Sequence, residues 1–447
     1  MQKPFLLLLI FVALSGPSAC VSYHEQALLP ESSAKGFTSR TLHDKELQSF
    51  LNSQNAAHGS WTPDRLALAA TFFHGSIAVA KAEQDEIAAR VETAGQRPNP
   101  ILSFSPGYNS TSSGISPWLI TPTLKVIIET AGKRDLRITQ ARAQTEAARL
   151  RVAAIAWTIR QTVRTAMLDL YAARQIGNQL QTIQLLSEDE LKKLQLMVEA
   201  GESSAFESNQ ARLSLNRARL AQHDAEKLRA TAFARLATAI GIPSSALNKV
   251  TLDFSVFKSL PPDPGKTARR LALTNRADLL AALADYAAAD AGLRLTVARQ
   301  YPNLQLQPGY EFDQSENKWL LGSQVELPIF HQNHGPVAEA EARRKKAAEI
   351  FEFKQAAVFG EIELATAAYR TTRDKVKTAT KLSEEAEHAG ETTRRMVELG
   401  ELAPLELTRR RIETAAAALG LVRALTEAQQ ALGDLEAAVQ IPNQKVK

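Results

Sequence analysis

Few side chains in this 447-residue sequence are spaced to do chemistry. His331 and His334, in His331-Gln332-Asn333-His334-Gly335, have the i to i+3 separation that two metal ligands on a turn can use. No third ligand stands near them, and a polar strand-to-helix connection explains the pair equally well. The single cysteine, Cys20, excludes an intrachain disulfide and any zinc site built on two thiolates. Four methionines, one of them the initiator, form no ladder for soft cations. No Gly-rich phosphate loop, HExxH motif or Ser/His/Asp constellation stands out. Carboxylates such as Glu384, Glu385 and Glu387 read as solvated helix faces. The balance of 53 basic against 48 acidic side chains, a net charge of +5, favours neither a disordered chain nor a nucleic-acid binder. An enzyme, a cofactor and a resident metal are therefore not expected.

The elements that carry these residues begin with an export signal. Met1-Gln2-Lys3, the apolar run from Phe5 to Leu14, and Ser15-Gly16-Pro17-Ser18-Ala19 make residues 1–19 a secretory signal peptide. Cys20 directly after small residues resembles the lipidated first residue of a bacterial lipoprotein. Pro17, where such signals usually have an aliphatic residue, leaves ordinary cleavage after Ala19 open. Beyond Cys20 no apolar window of 18 or more residues occurs, so a membrane crossing must use strands. Residues 20–60 read as an extended tail.

The rest of the chain is a duplication. Met197-Val198-Glu199-Ala200-Gly201-Glu202 and Met396-Val397-Glu398-Leu399-Gly400-Glu401 lie 199 residues apart, and the same offset relates Arg212 to Arg411 and Ile242-Pro243 to Ile441-Pro442. Upstream the offset becomes 202 for Pro106-Gly107-Tyr108 and Pro308-Gly309-Tyr310, so length changes fall in loops. The repeats span 61–243 and 266–442. Residues 244–265, with Pro261-Pro262-Asp263-Pro264-Gly265, read as a linker, and 443–447 as a C-terminal tail.

Each repeat reads as a helix, two alternating segments and two long helices. Leu102, Phe104 and Tyr108 alternate with Ser103 and Ser105; Trp118, Ile120, Leu124, Val126 and Ile128 alternate with Thr121, Thr123 and Lys125. The second repeat has the same pattern at 304–312 and 319–327. Such strands, about 10 residues long with one apolar face, suit a transmembrane barrel, with Asn109 to Pro117 and Asp313 to Asn317 as hairpin loops. Tyr108, Trp118, Tyr310 and Trp319 suit an interfacial girdle. Pro106, Pro122 and Pro308 each remove a ladder hydrogen bond and call for bulges or short edges.

From Gly132 to Leu196 no proline interrupts a helix that would be about 97 Å long. Its four-three apolar spacing, Val152, Ala156, Ile159, Val163, Ala166, Leu170, Ala173, Gly177 and Leu180, is a coiled-coil seam. Return helices follow from about Ser204 and Ala403, with Gly201 and Gly400 at the turns. Four membrane strands cannot close a barrel. Three chains would give twelve strands and a lumen, with Lys125, Glu311 and Glu326 facing it.

With Arg97-Pro98-Asn99-Pro100 and Tyr301-Pro302-Asn303-Leu304 before each first strand, Glu326-Leu327-Pro328-Ile329-Phe330 leaving the last, and the glycine turns, the sequence resembles the TolC-type outer-membrane efflux factors. Cys20-Val21-Ser22-Tyr23 and Gly132-Lys133-Arg134 look like the heavy-metal or cation branch of that family. The resemblance implies a homotrimer whose 12-stranded β-barrel continues into a periplasmic α-helical barrel. It also implies a passive, gated conduit in the outer membrane, coupled through a periplasmic adaptor to an inner-membrane pump of the RND type. The turns, with Gly201, Glu202, Arg395, Gly400 and Glu401, would form the tip that meets the adaptor. Glu406 falls where the family's gate is commonly acidic, and Arg409, one turn on, makes a salt-bridged latch as plausible as an acidic ring. An exported coiled-coil scaffold, or the adaptor itself, is the competing reading; an adaptor normally carries one helical hairpin, and this chain has two.

Overall fold

The computed structural model describes residues 21–56, 59–111, 116–248, 250–262 and 267–441. The expected signal peptide, Cys20 and the 443–447 tail lie outside the described residues. The first repeat holds α1 (Pro30–Thr38), α2 (Lys45–Ser53), α3 (Pro63–Phe73), α4 (Gly75–Gly95), β1 (Ile101–Tyr108), β2 (Trp118–Ile128), α5 (Lys133–Glu199) and α6 (Ala205–Ile240). The second holds α7 (Thr267–Asn275), α8 (Ala277–Ala298), β3 (Leu304–Asp313), β4 (Glu316–Val325), α9 (His334–Glu398) and α10 (Pro404–Val439). Most of the described chain is helical, with one small sheet at an end.

The long helices dominate. α5 runs for 67 residues and α9 for 65, so each is about 100 Å long at 1.5 Å per residue. The coiled-coil spacing buries Ile159, Val163, Ala166, Leu170, Ala173 and Leu180 on α5, and Val358, Ile362, Ala365 and Tyr369 on α9. α5 lies against α4, α6, α8 and α10, while α9 lies against α8 and α10. The second repeat therefore packs on the first along α5.

The largest core sits at the waist, where α2, α3, α5 and α6 meet. Leu47, Leu51, Leu66, Val163, Met167 and Leu236 are essentially inaccessible there. A polar node crosses it. Arg164, 5% exposed, donates from Nη1 to the Gln429 carbonyl (2.8 Å) and from Nη2 to Gln429 Oε1 (3.1 Å). Glu436 lies 3.5 Å from its Nε and 3.4 Å from Arg160 Nη1, and Arg160 Nη2 reaches Asp64 at 2.8 Å. Burial lowers the Arg164 pKa and Glu436 opposes that, so removing one partner would leave a charge stranded in the core. Gly433 lies against this node, where a Cβ would push the Arg164 guanidinium from its place.

Two expectations are corrected here. Residues 20–60 are not an extended tail: α1 and α2 are helices, Asp44 caps α2 through the Glu46 amide (2.8 Å), and Leu42, Leu47 and Leu51 are fully buried. Arg40 clamps the segment, donating to the carbonyls of Phe73 (3.0 Å) and Gly241 (2.8 Å). The apolar spacing was too short to betray a helix, yet those leucines fill space that the long helices cannot. Nor is 244–265 a free linker. Phe257 is fully buried, Gln429 Nε2 donates to the Ser259 carbonyl (2.8 Å), and Tyr369 donates to that of Pro261 (2.5 Å). Residues 250–262 are a packed strap between the repeats.

The sheet order is β1-β2-β3-β4, all antiparallel. The prolines create no bulge. Pro106 sits opposite Ile120, Pro122 opposite Phe104 and Pro308 opposite Leu321, with register unchanged on either side. Between β2 and β3 pairs drop out around Pro122 and Pro308, then resume in the same register at Thr123–Gly309 and Val126–Leu306. The lost hydrogen bonds are local because neighbouring pairs hold the alignment. The β3–β4 connection is also tighter than expected: Gln314 and Ser315 alone turn the chain, both at positive φ (47° and 74°), the backbone of a two-residue hairpin turn.

Replacing Leu47 with Asp should release the N-terminal segment, because a charge cannot remain in that core. Limited proteolysis should then cut ahead of residue 60 in the variant and spare the long helices. Unchanged protection would show that the segment is not held by this packing.

Candidate functional site

Register and alternation give the sheet two unlike faces. Residues paired across the strands on one face include Leu102, Phe104, Trp118, Ile120, Leu124, Val126, Leu306, Tyr310, Phe312, Trp319, Leu321 and Val325. No strand residue on that face is charged; Asn317 and Ser323 are its polar members. Many of its side chains stand exposed, Leu321 at 76% and Trp319 at 75%. Such a patch suits hydrocarbon, not water. At its hairpin end the rings of Tyr108 and Trp118 meet at 5.2 Å and those of Tyr310 and Trp319 at 5.3 Å, an aromatic belt of the kind found at membrane interfaces.

The opposite face carries Ser103, Ser105, Thr121, Thr123, Lys125, Gln305, Gln307 and Glu311. Lys318 Nζ lies 3.0 Å from Asp313 and 3.5 Å from Glu311 there. Ile101, Leu119, Ile127 and Leu320 share this face, and every charged side chain of the four strands lies on it. Glu326 falls one residue beyond β4, at the sheet's rim. Strands β1 and β4 have neighbours on one side only. Among the described residues no helix is long and apolar enough to cross a membrane.

The helices also present unpartnered stripes. On α6, Phe206, Leu213 and Leu220 recur every seven residues and are 70%, 51% and 68% exposed. On α9, Phe353, Leu364 and Leu382 are separated by 11 and then a further 18 residues, spacings that return to one side of a helix. Exposed apolar stripes of this kind are what a further helix packs against.

At the far end from the sheet, both helical hairpins turn on the same hydrogen-bonded motif. Gly201 (φ 78°) donates to the Val198 carbonyl at 3.1 Å and Glu202 to that of Met197 at 2.7 Å. Gly400 (φ 79°) donates to Val397 at 3.0 Å and Glu401 to Met396 at 2.9 Å. This left-handed cap suits glycine alone without strain. Arg395, Glu202 and Glu401 are exposed around the turns. Ser204 caps α6 through the Glu207 amide (3.3 Å), whereas α10 starts on Pro404, whose missing N–H is no loss at that position.

Just above the turns, side chains that the sequence did not single out tie the repeats together. Lys193 donates to Asp189 and to the Thr408 hydroxyl, both at 2.6 Å, and Thr408 donates to Asp189 at 2.8 Å. Arg409 lies 3.2 Å from both Glu190 and Glu406. Within one chain Glu406 and Arg409 are thus ion-paired, and Arg409 reaches Glu190 on α5. The Lys193 hydrogen bond holds the Asp189 carboxyl below its ordinary range, against partial burial and helped by Thr408. His334 contacts Gln332 (3.1 Å) and is exposed, and among the described residues no three His, Cys, Asp or Glu side chains gather as metal ligands.

The profile of the outer membrane efflux protein family matches residues 74–242 and 268–439, one stretch in each repeat. The chain belongs to that family. It is an outer-membrane channel of the tripartite efflux type, not an enzyme. The fold agrees. A membrane protein from Pseudomonas aeruginosa is 20% identical with a TM-score of 0.69, covering 84% of this chain and 90% of that one. VceC from Vibrio cholerae is 16% identical at 0.69, covering 88% and 98%. CusC, whose structures concern transmembrane channel formation, is 18% identical at 0.66, covering 84% and 91%. No curated protein sequence matches the chain.

Two outcomes follow at the tip of this efflux protein. A β-branched residue at Gly400, as in Gly400→Val, should cost about 1–2 kcal/mol through the left-handed backbone and speed hydrogen exchange over residues 396–402; unchanged exchange would contradict the strain. Because the Asp189 value is depressed on folding, its link contributes fully above the ordinary carboxylate range and is lost as pH falls below about 4. Exchange near Thr408 should therefore rise in acid in the parent and stay level in Asp189→Asn.

Proposed function

We propose that three copies of this chain join their sheets edge to edge into a 12-stranded barrel, which continues into a hollow α-helical cylinder crossing the periplasm. The apolar sheet face meets outer-membrane lipid, and the polar face, with Lys125 and Glu311, lines the lumen near Glu326. Cys20 supplies a lipid anchor at the membrane surface. The assembly is a passive conduit that receives cargo from an inner-membrane pump of the RND type through a periplasmic adaptor. The adaptor meets the turns at Gly201, Glu202, Arg395, Gly400 and Glu401. Glu406 and Arg409 act as the gate latch, and heavy-metal cations are the cargo class.

One observation carries this reading: a sheet whose one face is free of charge and whose two edges are both open. The open edges are not tolerable for a lone chain in lipid, since an unpaired backbone group costs several kcal/mol in hydrocarbon, and the apolar face is not tolerable in water. Threefold closure removes both problems. It also brings the exposed stripe of α6 beside that of α9 from the next copy.

The sidedness is testable by lysine substitution. Leu321→Lys, on the apolar face, should cost about 2–4 kcal/mol at the bilayer midplane and deplete the protein from the outer membrane. Thr121→Lys, on the polar face, should insert normally. Equal insertion of both variants would remove the lipid-facing assignment. For the cargo, deleting the gene should raise sensitivity to zinc, cobalt or copper; a change confined to lipophilic drugs would rule out cations as the cargo class.

A further inference from the structure

We infer that the connection of residues 326–333, between β4 and α9, docks on the Pro98-Asn99 corner of a neighbouring copy of this chain, repeating between chains a contact that the two repeats make within one. This rests on the threefold reading above and adds to it a specific seal at the sheet's rim.

Within the chain, the first repeat's connection closes over the lead-in to β3. Thr130 donates to the Pro302 carbonyl at 2.6 Å. Lys133, only 7% exposed, donates to the Tyr301 carbonyl and to Asn303 Oδ1, each at 2.5 Å. Pro302 and Asn303 are half-buried as a result. The lead-in to β1, Arg97-Pro98-Asn99-Pro100, has the same Pro-Asn corner, yet all four of its residues are exposed. It is a receiving surface with nothing on it.

The second repeat's connection is the converse. It has eight residues between β4 and α9, where the first has four between β2 and α5. The extra length carries Leu327, Ile329 and Phe330, which are 69%, 66% and 102% exposed. Next to them, His331, Gln332 and His334 offer N–H donors in the place of the Lys133 ammonium. Asn333 fixes the loop's far end by donating to the Thr296 carbonyl at 2.6 Å, so the apolar part projects from an anchored base.

These two surfaces cannot meet in one chain. β1 and β4 are opposite edges with β2 and β3 between them, about 14 Å apart at the usual strand spacing. When β4 of one copy pairs with β1 of the next, the 326–333 connection comes to lie beside residues 97–100 in the same way that 129–132 lies beside 301–303 across β2 and β3. The pair of histidines is then part of an interface between chains, not a metal site.

The test is a double variant, Phe330→Cys with Asn99→Cys, oxidised in outer membranes. A disulfide needs Cα atoms within about 7 Å, so a bond between these positions must join two chains. Non-reducing electrophoresis should show covalent two-chain and three-chain species that collapse on reduction, while each single variant runs as one chain. A protein that native mass spectrometry finds as three copies, but that yields no cross-link, overturns this inference and leaves the threefold assembly standing. A single-chain mass removes both. As a second measurement, a bimane label on Phe330→Cys should be insensitive to brominated lipids; strong quenching would place the loop in lipid and overturn the docking.

Discussion

A strand edge in hydrocarbon leaves backbone N–H and C=O groups without partners, each at a cost of several kcal/mol. The open sides of β1 and β4 place this chain under that constraint, and much else in the structure answers to it. On the threefold reading proposed above, identical sheets complete one another in a symmetric ring. A ring of sheets continues naturally into a ring of helices, because α5 and α9 leave the ends of β2 and β4 after short connections. On that reading the duplication makes the contact between chains a variant of the contact between repeats.

The waist is what keeps the ring's segments in register along about 100 Å of helix. Arg164, Gln429 and Glu436 form a buried hydrogen-bonded node between α5 and α10, with Arg160 and Asp64 extending it to α3. Apolar packing alone lets helices slide by a turn, whereas a buried guanidinium finds its partners in one alignment. The strap of residues 250–262 and the docked segment from Leu42 to Leu51 brace the same level from outside. Far from it, the Lys193 and Asp189 side chains are more exposed than the Arg164 node, so the tip is the less protected end of the helices.

The duplication, the strand alternation and the glycine turns were legible in the sequence because each depends on spacing along one stretch of chain. Gly201 and Gly400 needed left-handed backbone, and both have it. The parts that were not legible depend on partners distant in sequence. Lys193 stands four residues from Asp189, an ordinary helix spacing that singles out neither, and Thr408, the third member, is 215 residues from Lys193. Pro261 marked a break in secondary structure but said nothing of packing, and its carbonyl accepts from buried Tyr369. The prolines in the strands suggested bulges because each lacks an N–H, yet a register fixed by many neighbouring pairs absorbed them.

Density for the protein embedded in lipid discs, at a resolution that separates strands, tests the central claim most directly. The account predicts one closed ring of three copies, with β4 of each chain hydrogen-bonded to β1 of the next and the Leu321 face turned to lipid. A lone chain whose sheet edges are covered by its own helices, or a sheet with its polar face toward the lipid, would contradict it.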